Sequence, residues 1–142
     1  MKPARLAAVS ALVLLGTSAV AGAIPMFLHP SGSSSFLPLS LLERTPFHSY
    51  LIPGVLLLVA NGLLSFLVLW LTILNRPGYA LWVGAPGCVL AGWLIVEIWL
   101  LRVVSWLHFV YGAIAMVLIV SGVLLRQGPV AESSSDAPDF VI

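Results

Sequence analysis

The sequence predicts an all-α membrane fold. It is a four-helix bundle with a short interfacial helix between helices 1 and 2 and a disordered C-terminal tail. Three observations carry this. The chain of 142 residues is 61% hydrophobic and only 8% charged, with mean hydropathy +1.12. Soluble domains average about 25% charged residues, so water alone could not solvate this exterior. Four apolar blocks each approach the roughly 20 residues that cross a hydrocarbon core of about 30 Å. The blocks are continuously apolar and do not alternate, which excludes a membrane barrel. One membrane domain, residues 1–126, followed by a tail, 127–142, accounts for the length.

The first block runs from about Leu6 to Leu28. Lys2 and Arg5 precede it as a basic flank, and Ala21-Gly22-Ala23 resembles a signal-peptidase site. Cleavage there would leave three spans. The apolar run continues through Ile24-Pro25-Met26-Phe27-Leu28, long enough to span and stay, so retention is the expectation. His29-Pro30-Ser31-Gly32-Ser33-Ser34-Ser35 is loop chemistry. Phe36 to Glu43 is apolar again but too short to span, and Ser40 with Glu43 fits a capping box. This is the short interfacial helix.

Thr45-Pro46 then fits an N-cap with proline at the first helical position, so the second span is expected over 46–74. Pro53 should kink it. Asn75-Arg76-Pro77-Gly78 is a turn. The third span is expected over 80–101 and the fourth over 106–125. No Gly or Pro separates these two. A single helix through both would reach about 70 Å at 1.5 Å per residue. Length therefore forces a turn between Arg102 and Ser105. Beyond Gln127 the chain is small and acidic and cannot bury enough apolar area to fold.

Lys and Arg set the orientation. Lys2, Arg5, Arg76 and Arg126 fall on one side and Arg44 and Arg102 on the other. This places both termini in the cytoplasm. Tyr79 and Trp82 would then mark the inner interface, and Tyr50, Trp99 and Trp106 the outer one.

Few polar groups lie within the spans. Glu97 sits about four residues, or roughly 6 Å, before the end of the third span. A carboxylate at that depth is costly and marks a functional candidate; the bland alternative is an interfacial group or a pair with Arg102. His48 and His108 fall at the same level on the outer side. Glu97, His48, His108 and Arg102 together form the candidate polar site, suited to a proton-responsive, metal-binding or ligand-headgroup role. Interfacial histidines bonded to headgroups or backbone are the plainer reading. The residues lack HxxxH or ExxH spacing, so no metal is expected. Asn61, mid-span, should seek an interhelical hydrogen bond. Gly84, Cys88 and Gly92 recur every fourth residue, as do Gly87 and Ala91, and would admit a close neighbouring helix from this chain or another. Cys88 is the lone cysteine, so neither an intramolecular disulfide nor a CxxC pair can form. No phosphate-binding loop, catalytic triad or paired intramembrane carboxylates occur, and no cofactor is expected. The formal net charge of +1 and the absence of a basic run exclude a nucleic-acid footprint.

The stretch Thr45-Pro46-Phe47-His48-Ser49-Tyr50-Leu51-Ile52-Pro53-Gly54, with Pro38-Leu39-Ser40-Leu41-Leu42 before it and Val96-Glu97-Ile98 later, is similar to a set of uncharacterised small bacterial multi-pass membrane proteins. These look loosely like the DoxX-type four-helix group in architecture. The resemblance implies a bacterial inner membrane location and supplies no activity. Three functional readings follow, in order of expectation. The first is a structural or accessory subunit, partnered by the bilayer and by another membrane protein or a second copy. The second is a bundle that binds a lipid or isoprenoid near Glu97 and His48. The third is a small proton-coupled transporter; Glu97 lies near a span edge, which counts against it. An enzyme is the least expected.

Overall fold

A computed structural model describes residues 2–32 and 39–132. Its four long helices are α1 (Pro3–Leu28), α2 (Leu51–Ile73), α3 (Tyr79–Leu101) and α4 (Trp106–Glu132). Each is long and apolar enough to cross a membrane. Successive helices pack as neighbours and α4 closes back on α1, so the four form an up-down bundle. Large apolar side chains cover the outside, with Trp70, Ile95, Trp99 and Phe109 all exposed. An apolar exterior of that extent suits hydrocarbon and not water.

The core is built on small residues of α1. Ala8, Ala11, Leu12, Leu15, Gly16, Ala19 and Ala23 are buried at a spacing of three and four, one face of a helix. They let α2 and α4 approach, and Leu12, Leu15, Val68, Val83 and Leu118 fill the centre. The closest contact joins α3 to α4. A Cβ on Gly87 would lie 2.8 Å from the Ala115 carbonyl oxygen, and one on Gly122 would lie 2.8 Å from the Gly84 nitrogen. Only hydrogen fits at either position.

One end of the bundle is fastened by arginines. The α2 terminus closes as a Schellman motif, with Asn75 in the left-handed region (φ 51°) and the Arg76 N–H donating to the Leu71 carbonyl at 3.0 Å. Arg5 of α1 reaches the same terminus. It donates to the Thr72 carbonyl at 2.6 Å and 3.2 Å and to the Ile73 carbonyl at 3.1 Å. A cation there meets C-terminal carbonyls, of which Thr72 also accepts the Asn75 N–H at 3.2 Å, and the negative end of the helix dipole. The same guanidinium lies 5.7 Å from the Tyr79 ring centroid, within cation–π range. Arg126 likewise donates to the Leu81 carbonyl at 2.9 Å, tying α4 to the start of α3.

At the other end, the structure corrects several expectations. The second helix begins at Leu51, not at Pro46. The Thr45 hydroxyl serves a local turn instead, donating to the Leu42 carbonyl at 2.9 Å and accepting the Phe47 N–H at 3.3 Å. The Tyr50 N–H is held by the Pro30 carbonyl at 2.9 Å, which keeps this stretch off the helix path. Pro53 therefore falls in the first turn, where its missing N–H costs no hydrogen bond, and it has no kink to make. The irregularity of α2 comes later, as a π-helical segment, Leu58–Leu63. The interfacial helix is a single 3-10 turn, Leu39–Leu42, and the Ser40–Glu43 pairing is a backbone bond of 3.4 Å. Tyr50 is buried, so it does not join an aromatic belt. Helix α4 continues past Gln127 to Glu132; the rest of the expected tail, residues 133–142, lies outside the described residues, as do 33–38.

Candidate functional site

The turn between α3 and α4 sets the first part of the site. Arg102 ends α3 in the left-handed region (φ 52°), and its N–H donates to the Ile98 carbonyl at 2.8 Å. Ser105 then precedes α4. Its N–H donates to Nδ1 of His108 at 3.0 Å, and its hydroxyl lies 3.1 Å from the same nitrogen. His108 thus does what a glutamate does in a capping box, reaching back from the third helical position to the N-cap amide. Nδ1 accepts a hydrogen bond there, so in the neutral ring the proton resides on Nε2.

That Nε2 is directed at Glu97. It lies 3.8 Å from Oε2, an ion-pair distance too long for a direct hydrogen bond. Nε2 is buried and has no other partner among the described residues. The structure therefore sets His108 beside Glu97. His48 is exposed on the connection before α2, and Arg102 is exposed at the end of α3. Among the described residues, no ion pair joins either to Glu97. Arg102 instead lines a surface groove with Arg44, Trp99 and Leu100.

Glu97 lines two adjacent cavities. The larger, called the lateral cavity, is about 290 Å³ and lies between the connection, α2 and α3. Leu41, Leu42, Thr45, Phe47 and Tyr50 roof it; Pro53 and Leu56 of α2 and Trp93, Val96, Leu100 and Glu97 of α3 wall it. All but a few of its lining groups are apolar. The smaller, about 140 Å³, lies inside the bundle and takes residues from all four helices, among them Ser18, Asn61, Glu97 and Tyr111. Met26, Trp93 and Glu97 line both.

Asn61 is 1% exposed, and neither its Oδ1 nor its Nδ2 has a hydrogen-bond partner among the described residues. The interhelical bond expected of it is not made. Its side chain faces the inner cavity from the π-helical segment. The small-residue rows on α3 divide between two surroundings. Cys88 is exposed, and a Cβ on Gly84 or Gly92 would meet nothing within 4 Å. Gly84 contacts α4 only through its backbone, and the close approach falls on Gly87.

Sequence reasoning missed the two cavities, the arginine fastening at Thr72 and the cap role of His108. The last had a signal: Ser105-Trp106-Leu107-His108 has a good N-cap residue with a polar side chain three places on. Among the described residues, no cluster of three or more His, Cys, Asp or Glu could hold a metal. No family model, curated protein or solved structure matches this chain.

Proposed function

We propose that this chain is a multi-pass protein of a bacterial inner membrane, with both termini cytoplasmic, and that it binds a lipid- or isoprenoid-class molecule in the lateral cavity beside Glu97. The observation that carries this is the cavity itself: about 290 Å³ of apolar space with one carboxyl on its wall. An engineered cavity of about 150 Å³ suffices for benzene. By that scale the lateral cavity takes roughly a dozen carbon atoms. Apolar walls with few convergent polar groups are the usual make-up of a small-molecule site.

The test is native mass spectrometry of the protein extracted in mild detergent. The wild type should carry a stoichiometric lipid-sized adduct. Leu56→Trp and Val96→Trp fill the cavity from opposite walls, and both positions are exposed enough for the fold to accept the larger ring. Both should lose the adduct. A bare wild-type mass, or adducts unchanged in both variants, overturns the reading.

A specific observation also favours the accessory reading. The exposed Cys88 and the open Gly84 and Gly92 leave a small-residue face of α3 free for another membrane helix, from a partner or a second copy. Cys88 is the only cysteine, so mild oxidation in native membranes reports on it directly. A covalent dimer supports self-packing on this face; a monomer counts against it.

A further inference from the structure

The lateral cavity accounts for an apolar tail and leaves the inner cavity and Asn61 without a role. Three hydroxyls within the spans are satisfied locally. Ser18, Ser65 and Thr72 each donate to a carbonyl one turn back, at 3.1 Å, 2.5 Å and 2.7 Å. Asn61 differs from these: it is 1% exposed, with both side-chain polar atoms unpartnered. A buried amide in that condition forfeits its hydrogen bonds to water and regains none within the protein. An apolar residue would cost the bundle less. The π-helical turn Leu58–Leu63 that carries it is a rare backbone form, concentrated at functional sites.

We propose that the inner cavity is the head-group site of the bound molecule and that the head is an uncharged hydroxyl, which makes the ligand class a long-chain or isoprenoid alcohol. This rests on the lateral-cavity reading above. Four observations lead to it. The two cavities are adjacent, with Met26, Trp93 and Glu97 lining both, so a molecule that turns these side chains aside reaches from one into the other. The inner space of about 140 Å³ suits a head of a few heavy atoms. Asn61 offers one acceptor and a donor group, and the Glu97 carboxyl adds acceptors; a hydroxyl is complementary to both because it donates and accepts at once. An anionic head does not fit, since neither cavity is lined by Lys or Arg and Glu97 would repel it. The two nearby arginines, Arg44 and Arg102, line a separate surface groove. His108, whose Nε2 lies 3.8 Å from Glu97 Oε2, lines neither cavity.

The experiment uses the full chain in lipid nanodiscs, with three probes at equal mole fraction: farnesol, its saturated hydrocarbon farnesane, and farnesyl diphosphate. Binding is read by native mass spectrometry. Farnesol should be retained about tenfold over farnesane, the worth of roughly one good hydrogen bond. It should also exceed the diphosphate. Asn61→Leu should bring farnesol down to the farnesane level while the thermal midpoint of the bundle holds or rises, because an unpartnered amide has been removed. Asn61→Ala, which only enlarges the cavity, gives the same readout if leucine does not fit.

Equal retention of farnesol and farnesane overturns the head-group site but leaves the lateral cavity as a tail site. A preference for the diphosphate overturns it in favour of the arginine groove. An unchanged farnesol preference in both Asn61 variants overturns the assignment to this cavity. Retention of none of the three overturns both this proposal and the function it rests on.

Discussion

Replacing Gly87 with alanine tests the packing of α3 on α4 with a control built into the same helix. The new Cβ would lie 2.8 Å from the Ala115 carbonyl oxygen, 2.9 Å from Leu118 Cβ and 3.0 Å from Ile119 Cγ1. Carbon atoms prefer separations of ~3.5 to 4.0 Å. The obstacle includes backbone, which cannot rotate aside, so the two helices must part by roughly half an ångström or more. Overpacking by one such group costs about 1–3 kcal/mol. Gly→Ala also changes helix propensity, by about 1 kcal/mol in the favourable direction. Gly92→Ala on the same helix carries that propensity gain alone, because its Cβ meets nothing within 4 Å. The difference between the two variants therefore isolates the clash. Unfolding titrations with SDS in mixed micelles, followed by circular dichroism, should put Gly87→Ala below Gly92→Ala by about 1–3 kcal/mol. Gly122→Ala should fall with Gly87→Ala, since its Cβ would lie 2.8 Å from the Gly84 nitrogen. Equal stability of Gly87→Ala and Gly92→Ala would refute the reasoning.

Arg5→Met removes the donors from the Thr72 and Ile73 carbonyls and the cation over Tyr79; it should lower stability in the same titration by about 1–3 kcal/mol, the range for hydrogen bonds from a charged group, and wild-type stability would show that the fastening is incidental. His108 should show an unprotonated, pyridine-type Nδ1 by nitrogen NMR, because that atom accepts the Ser105 N–H; a protonated Nδ1 in the neutral ring would contradict the cap. With Cys88 replaced, a cysteine at Ser31 should react with an impermeant reagent from outside intact cells, and one at Ser134 should not; labelling of the tail position would reverse the proposed orientation.

The four helices were legible because the span signal is a sum over many residues. The Asn75–Gly78 turn carried its own chemistry, and the turn at Arg102 followed from length alone. Local features that depend on distant partners were not legible. Thr45-Pro46 reads as a helix start, yet the bond from Tyr50 to Pro30 and the buried Tyr50 side chain hold this stretch away from the helix. Gly84, Cys88 and Gly92, like Gly87 and Ala91, read as a face for a neighbouring helix of this chain or another, and a period does not say which way a face points. The buried alanines of α1, at positions 8, 11, 19 and 23, carry the same signal more strongly. At the site, depth alone grouped Glu97 with both histidines. What separates them is local: His108 is locked by the Ser105 cap, whereas His48 lies exposed on the connection. Cavities arise from what four helices fail to fill and have no counterpart in a linear pattern.

The central claim is that an amphipathic molecule occupies the cavity beside Glu97. Photo-crosslinking tests it most directly. A prenyl alcohol bearing a diazirine on its chain is irradiated with the full protein in nanodiscs, and the adducts are mapped by peptide mass spectrometry. The account predicts adducts confined to the lining segments, Leu41 to Tyr50, Pro53 to Leu56 and Trp93 to Leu101, and abolished by excess farnesol. Adducts spread over the exposed exterior, at positions such as Trp70, Leu81 and Met116, and unaffected by competitor would contradict it.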